Sequence, residues 1–140
     1  MSTNKIKRAK SFEATRHQHK LEMAQDYTEL VHDLIEAKGV ARTCDIAEQL
    51  GVSHVTALRT IQRLQRDGFL FTSPHRPVEL TEQGKKLAKD SKVRHELLLS
   101  FLLALGVPQK IAEQDVEGLE HHISEISLKA IRTHLNKIKK

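Results

Sequence analysis

Tryptophan is absent from the 140 residues, and the aromatic set stops at four phenylalanines and one tyrosine. The interior must therefore come from Leu, Ile, Val and Ala at helical spacing, a light core of the kind that a partner subunit often completes. A single cysteine, Cys44, excludes an internal disulfide, which argues for a reducing compartment and against a disulfide-stapled secreted fold. Cys44 itself reads as a small packing residue in a helix. The longest apolar run, residues 97–107, is interrupted by Ser100 and is too short to span a bilayer. The charged N-terminus also lacks the apolar stretch of a secretory leader. A cytoplasmic protein without a membrane partner is expected.

Charge is abundant and unevenly placed. The formal net charge is +5, and it sits in residues 1–20, where Lys5, Lys7, Arg8, Lys10, Arg16 and Lys20 face Glu13 alone. From His54 to Arg94 nine basic residues stand against Asp67, Glu79, Glu82 and Asp90, whereas from Glu96 to Glu125 six acids stand against Lys110. A basic middle suits a polyanion such as DNA, and an acidic block suits cations.

Residues 1–20 read as a basic, flexible arm with little to bury. A helix is expected over about 13–38, with Tyr27, Leu30, Val31, Leu34 and Ile35 on one stripe and Gly39 as its stop. Thr43 is placed to cap a second helix that ends at Leu50. There follows a helix-turn-helix pattern: Ala47 permits a close helix crossing, Gly51 takes the positive φ of a sharp turn, and Ser53 caps the next helix. Residues 69–72 and 78–80 read as two short strands joined by a tip at Ser73 to Pro77, which makes a wing. Thr81 then caps a long helix through Leu105, Pro108 opens a helix expected to reach about His122, and Ser124 caps the last. The expected fold is mainly α with a small β wing: a winged helix-turn-helix domain over 21–84, followed by an all-helical dimerisation domain over 85–140.

In a helix-turn-helix the N-terminal part of the second helix enters the major groove. His54, Val55, Thr56 and Arg59 are therefore the candidates to meet base edges, with the capping Ser53 beside them in the DNA-binding set. Arg63, Arg66, Arg76, Lys85 and Lys86 are expected at phosphates, which set register and affinity without reading sequence. A second constellation lies in the acidic block, where Glu117, Glu120 and His121 stand at i, i+3 and i+4 and so share one helix face. Asp26 and Glu29 stand at i, i+3 on the first helix, and His95 lies on the fourth. Taken singly, each of these patterns also occurs on solvated helix surfaces.

Four segments occur in the order of a known family: Gln25-Asp26-Tyr27-Thr28-Glu29-Leu30, Leu80-Thr81-Glu82-Gln83-Gly84-Lys85, Arg94-His95-Glu96-Leu97-Leu98, and Asp115-Val116-Glu117-Gly118-Leu119-Glu120-His121-His122. From about Ala24 to Leu135 the chain resembles the diphtheria-toxin-repressor family, and within it the manganese-responsive branch. The resemblance implies a homodimer that binds a double-stranded DNA operator and holds a pair of Mn²⁺ ions per subunit between the DNA-binding and dimerisation domains. Asp26, Glu29, His95, Glu117, Glu120 and His121 match the ligand positions, with Glu29 and Glu120 as bridging ligands. Four carboxylates and two imidazoles without sulfur suit Mn²⁺ or Fe²⁺ better than Zn²⁺. Iron-responsive relatives carry sulfur ligands where Asp26 and Glu117 stand, so manganese is the expected effector. The wing tip Pro74-His75-Arg76-Pro77 departs from the pattern, with proline where relatives often carry glycine. The iron-responsive members also have a third, C-terminal domain, for which this chain leaves no room.

The implied activity is repression of metal uptake genes, with no catalysis and no small organic substrate. Three other readings remain: an iron-responsive regulator of the same family, a dinuclear metallohydrolase, and a winged-helix regulator indifferent to metal. The hydrolase would need an open coordination position and a substrate-orienting group, for which the chain offers no evident candidate.

Overall fold

A computed structural model describes residues 2–138, with side chains from Lys7 to Ile138; Met1, the Lys5 side chain, Lys139 and Lys140 lie outside the described residues. The elements are α1 (Ser2–Lys38), α2 (Thr43–Leu50), α3 (His54–Arg66), β1 (Leu70–Phe71), β2 (Glu79–Leu80), α4 (Glu82–Ala104), α5 (Gln109–Leu119) and α6 (Glu125–Ile138). The chain divides into two units, Met23–Asp90 and Met1–Glu22 with Ser91–Lys140. Helices α1 and α4 each contribute residues to both.

In the unit Met23–Asp90 the core gathers Tyr27, Val31 and Leu34 of α1, Ile46 of α2, Ile61 and Leu64 of α3, Leu70 of β1 and Val78 beside β2. The α1 members fall on the expected stripe, and Leu30 and Ile35 pack at its edge. Gly51 ends α2 with φ 68°, a left-handed conformation that costs a glycine nothing. Ser53 then caps α3, its Oγ accepting from the Thr56 N–H at 3.1 Å. The wing is a two-stranded antiparallel sheet in the register Leu70↔Leu80 and Phe71↔Glu79. Thr81 joins wing to helix: its hydroxyl donates to the Gly68 carbonyl at 2.6 Å and accepts from the Gly84 N–H at 3.0 Å.

In the other unit Leu98 of α4, Val116 of α5 and Leu128 of α6 form a small buried core, with Leu97, Leu102, Ile123 and Ile131 packed around it. Ser124 caps α6 through the Ser127 N–H at 3.2 Å.

Four expectations are corrected. The segment expected as a flexible arm is helical from Ser2, because residues 2–38 contain no glycine or proline and are rich in helix formers. Thr43 is the first residue of α2 rather than its cap; Arg42 holds the cap position without a side-chain hydrogen bond. Cys44 is exposed, not packed. Helix α5 ends at Leu119, and the chain past it closes in tight turns, with the His121 N–H donating to the Gly118 carbonyl at 3.3 Å and the His122 N–H to Leu119 at 3.1 Å.

Candidate metal centre and nucleic-acid interface

Helix α3 is built to present its N-terminal turn. Ala57, Ile61 and Leu64 bury one face, which leaves Ser53, His54, Val55, Thr56 and Arg59 exposed on the other. Val55 is 58% exposed, a large apolar group left in water at the spot where a helix of this motif meets base edges and thymine methyls. The Ser53 and Thr56 side chains are bound into the cap, with the Ser53 hydroxyl donating to Thr56 Oγ1 at 2.8 Å. Between α3 and the wing lies a cleft of about 570 Å³, lined in part by Arg42, His54, Gln62, His75 and Arg76. His75 at the wing tip has φ 66°, and the turn closes with the Arg76 N–H donating to the Ser73 carbonyl at 3.0 Å. Arg76 is thereby presented on the wing, exposed, like Arg59, Arg66, Lys85 and Lys86.

Arg63, also expected at a phosphate, is less open to solvent than these. It is only partly exposed, and its Nε and Nη2 are buried without a hydrogen-bond partner among the described residues. A buried guanidinium nitrogen needs an acceptor, and the described residues supply none to these two.

The six expected metal ligands divide between the two units. Asp26 and Glu29 lie on the part of α1 in Met23–Asp90; His95, Glu117, Glu120 and His121 lie in the other. In that second unit the geometry is explicit. Each oxygen of the Glu120 carboxylate faces an imidazole: Oε2 lies 2.6 Å from His95 Nδ1, and Oε1 lies 3.5 Å from His121 Nε2. Glu120 and His121 are 4% and 5% exposed, whereas Glu117 on the last turn of α5 is exposed. Burial pushes the Glu120 carboxyl above its ordinary range; the hydrogen bond and charge of His95 and the charge of His121 pull it back, and Glu117 raises it again. A carboxylate held at such a cost, flanked by two imidazoles, is a donor set that a divalent cation fits.

Other residues of this unit were not evident from the sequence. The Gln18 amide donates to the His121 carbonyl. Glu22 lies 3.7 Å from His122, and its carboxylate comes within 4.8 Å of the His121 ring nitrogen. The one available signal was spacing: Glu22 precedes Asp26 by four residues, one turn of a helix.

A helix-turn-helix with a wing, carrying an exposed basic recognition face, defines a DNA-binding protein of the winged-helix class. Residues 20–78 match the family described as iron dependent repressor, N-terminal DNA binding domain, and residues 81–140 match iron dependent repressor, metal binding and dimerisation domain. The chain is 42% identical over 134 residues to the transcriptional regulator MntR of Escherichia coli O157:H7, covering 96% of this chain and 86% of that protein. It is 43% identical over 107 residues to the HTH-type transcriptional regulator MntR of Bacillus subtilis, covering 76% of this chain and 75% of that protein. Among solved structures, a manganese-dependent transcriptional repressor in complex with manganese superposes with TM-score 0.72 at 32% identity over 81% of this chain. The chain spans about half, 52%, of that structure's length. The metal-dependent transcriptional regulator MtsR, at 22% identity and TM-score 0.74, shares the fold. The chain belongs to the iron-dependent repressor family: it is a metal-dependent transcriptional regulator, with a DNA-binding part and a metal-binding and dimerisation part, and not an enzyme. Among the described residues no helix is long and apolar enough to cross a membrane.

Proposed function

We propose that the chain is a manganese-responsive repressor of metal uptake genes, holding two ions per subunit with Asp26, Glu29, His95, Glu117, Glu120 and His121. Its likeness to MntR relatives across most of their length supports the effector. The observation that carries the site is Glu120, a carboxylate 4% exposed with an imidazole at each oxygen. The family resemblance implies that Glu29 and Glu120 would be the residues shared between the two ions. Fe²⁺ accepts the same donors and is the competing activator.

A bound divalent cation supplies the positive charge that offsets repulsion among four carboxylates. Bound metal would couple Asp26 and Glu29 to His95, Glu117, Glu120 and His121, adding to the hold that Gln18 already gives the N-terminal part of α1 on the metal-binding part. Held in place, α1 fixes the position of α3, since Tyr27, Val31 and Leu34 share a core with Ile61 and Leu64. In a dimer this sets the spacing of two recognition helices, which must match half-sites about one helical turn of DNA apart. His54, Val55, Thr56 and Arg59 then face base edges, and Arg76 on the wing reaches a phosphate. Linkage requires DNA to tighten metal binding in return.

The test is a mobility shift on promoters of manganese uptake genes with Mn²⁺, Fe²⁺, Zn²⁺ or a chelator. A complex that forms with Mn²⁺ and disappears with chelator is expected, and Glu120→Ala should abolish the response while leaving a folded dimer. Binding that ignores the chelator, or a Glu120→Ala protein that still answers to manganese, overturns the reading.

A further inference from the structure

Glu22 lies outside the six ligands named above. It is partly buried at the end of the α1 segment that belongs to the same unit as His95, Glu120 and His121. Two features aim it at that cluster. Its carboxylate comes within 4.8 Å of the His121 ring nitrogen, with each residue offering a ligand atom. The preceding turn is tied to the same place, because the Gln18 side chain donates to the His121 backbone carbonyl. Helix α1 therefore carries Glu22 to the residue whose imidazole also stands 3.5 Å from Glu120. Further along α1, Glu22 precedes Asp26 by one helical turn.

We propose that Glu22 is a further metal ligand, an oxygen donor that the N-terminal part of α1 adds beside His121. The proposal rests on the reading of Glu120 and His121 as manganese ligands. Chemistry favours it: Mn²⁺ takes carboxylate oxygen readily, and a fifth carboxylate shifts the donor set further from the tetrahedral nitrogen and sulfur shells preferred by Zn²⁺. The competing role for Glu22 is a surface ion pair with His122, at 3.7 Å with the two side chains 30% and 56% exposed. A pair so exposed contributes little to stability.

Calorimetric titration of the full-length dimer with Mn²⁺, with Mn²⁺ electron paramagnetic resonance as a second readout, separates these roles without any DNA. Glu22→Gln should lower the Mn²⁺ affinity of at least one ion by about tenfold or more, the scale on which groups around a metal act. The manganese signal should change with it, while circular dichroism and the dimer stay intact. His122→Gln breaks the same pair but removes no expected ligand, and should leave affinity within about twofold. If Glu120→Ala loses Mn²⁺ and Glu22→Gln binds like the parent protein, the role of Glu22 is overturned and the six-ligand reading stands. Equal losses in Glu22→Gln and His122→Gln also overturn it, in favour of the ion pair. If Glu120→Ala binds Mn²⁺ normally, the reading and the proposal fall together.

Discussion

Single residues show where this chain trades stability for function. Glu120 would be solvated far more cheaply at the surface, yet it is buried against two histidines, and a carboxyl group placed at such a cost marks a functional-site candidate. Ser53 does the opposite: its cap on α3 is local and inexpensive, and Ser53→Ala should lower unfolding stability by about 1 kcal/mol in chemical denaturation, with no change in manganese binding. Gly84 is the tightest position, for a Cβ there would stand 2.1 Å from the Phe69 carbonyl oxygen. Gly84→Ala must push the start of α4 away from the wing and strain the Thr81 hydrogen bonds to Gly68 and Gly84. A melting temperature clearly below that of the parent protein is the expected outcome, and an unchanged one would show that the backbone at Phe69 yields without cost.

At the scale of elements, the proposed function would divide the work of binding DNA between α3 and the wing. Arg59, on the exposed face of α3, is placed to read bases, so Arg59→Ala should cost about 1–3 kcal/mol on the operator and relax preference at one base pair. Arg76, on the wing tip, is placed for phosphate. Arg76→Ala should weaken binding to operator and random DNA alike and reduce the slope of log affinity against log salt by about one. Equal slopes for the two variants would contradict that division. Helix α1 is the element whose extent was hardest to foresee. Its first half exposes Phe12 and a run of basic side chains, and a polar helix of that kind is marginal by itself. Its link to the rest of its unit lies at Gln18 and Glu22, near the end of that half.

At the scale of the molecule, the unit that carries the dimerisation domain leaves large apolar groups in water. Leu105 is 58% exposed, Ile111 48% and Ile126 84%. Leu98, Val116 and Leu128 form a small core beneath, and the match to a dimerisation domain over residues 81–140 favours a second copy as the cover. Leu105→Asp combined with Ile126→Asp is expected to shift the protein toward monomer in light scattering and to weaken operator binding with it. A dimer of unchanged mass would place the interface elsewhere. Coupling between metal and DNA belongs to this scale as well: Mn²⁺ affinity measured with saturating operator should exceed that of the free protein by the same factor by which Mn²⁺ tightens operator binding.

What the chain's order of residues determined by itself was local. The turn at Gly51, the caps at Ser53, Thr81 and Ser124, and the alternation of buried and exposed positions along α3 are written within a few neighbouring residues, because capping and periodicity act over one or two turns. The proposed donors, carboxylate and imidazole without sulfur, come from the family resemblance and not from such local signals. Tertiary structure alone decided that Glu120 is buried between His95 and His121, that the Arg63 guanidinium is drawn inward, and that Gln18 meets the carbonyl of a residue 103 positions away. The His95–Glu120 and Gln18–His121 contacts, 25 and 103 positions apart, depend on how faces pack, and no short stretch of sequence contains both partners.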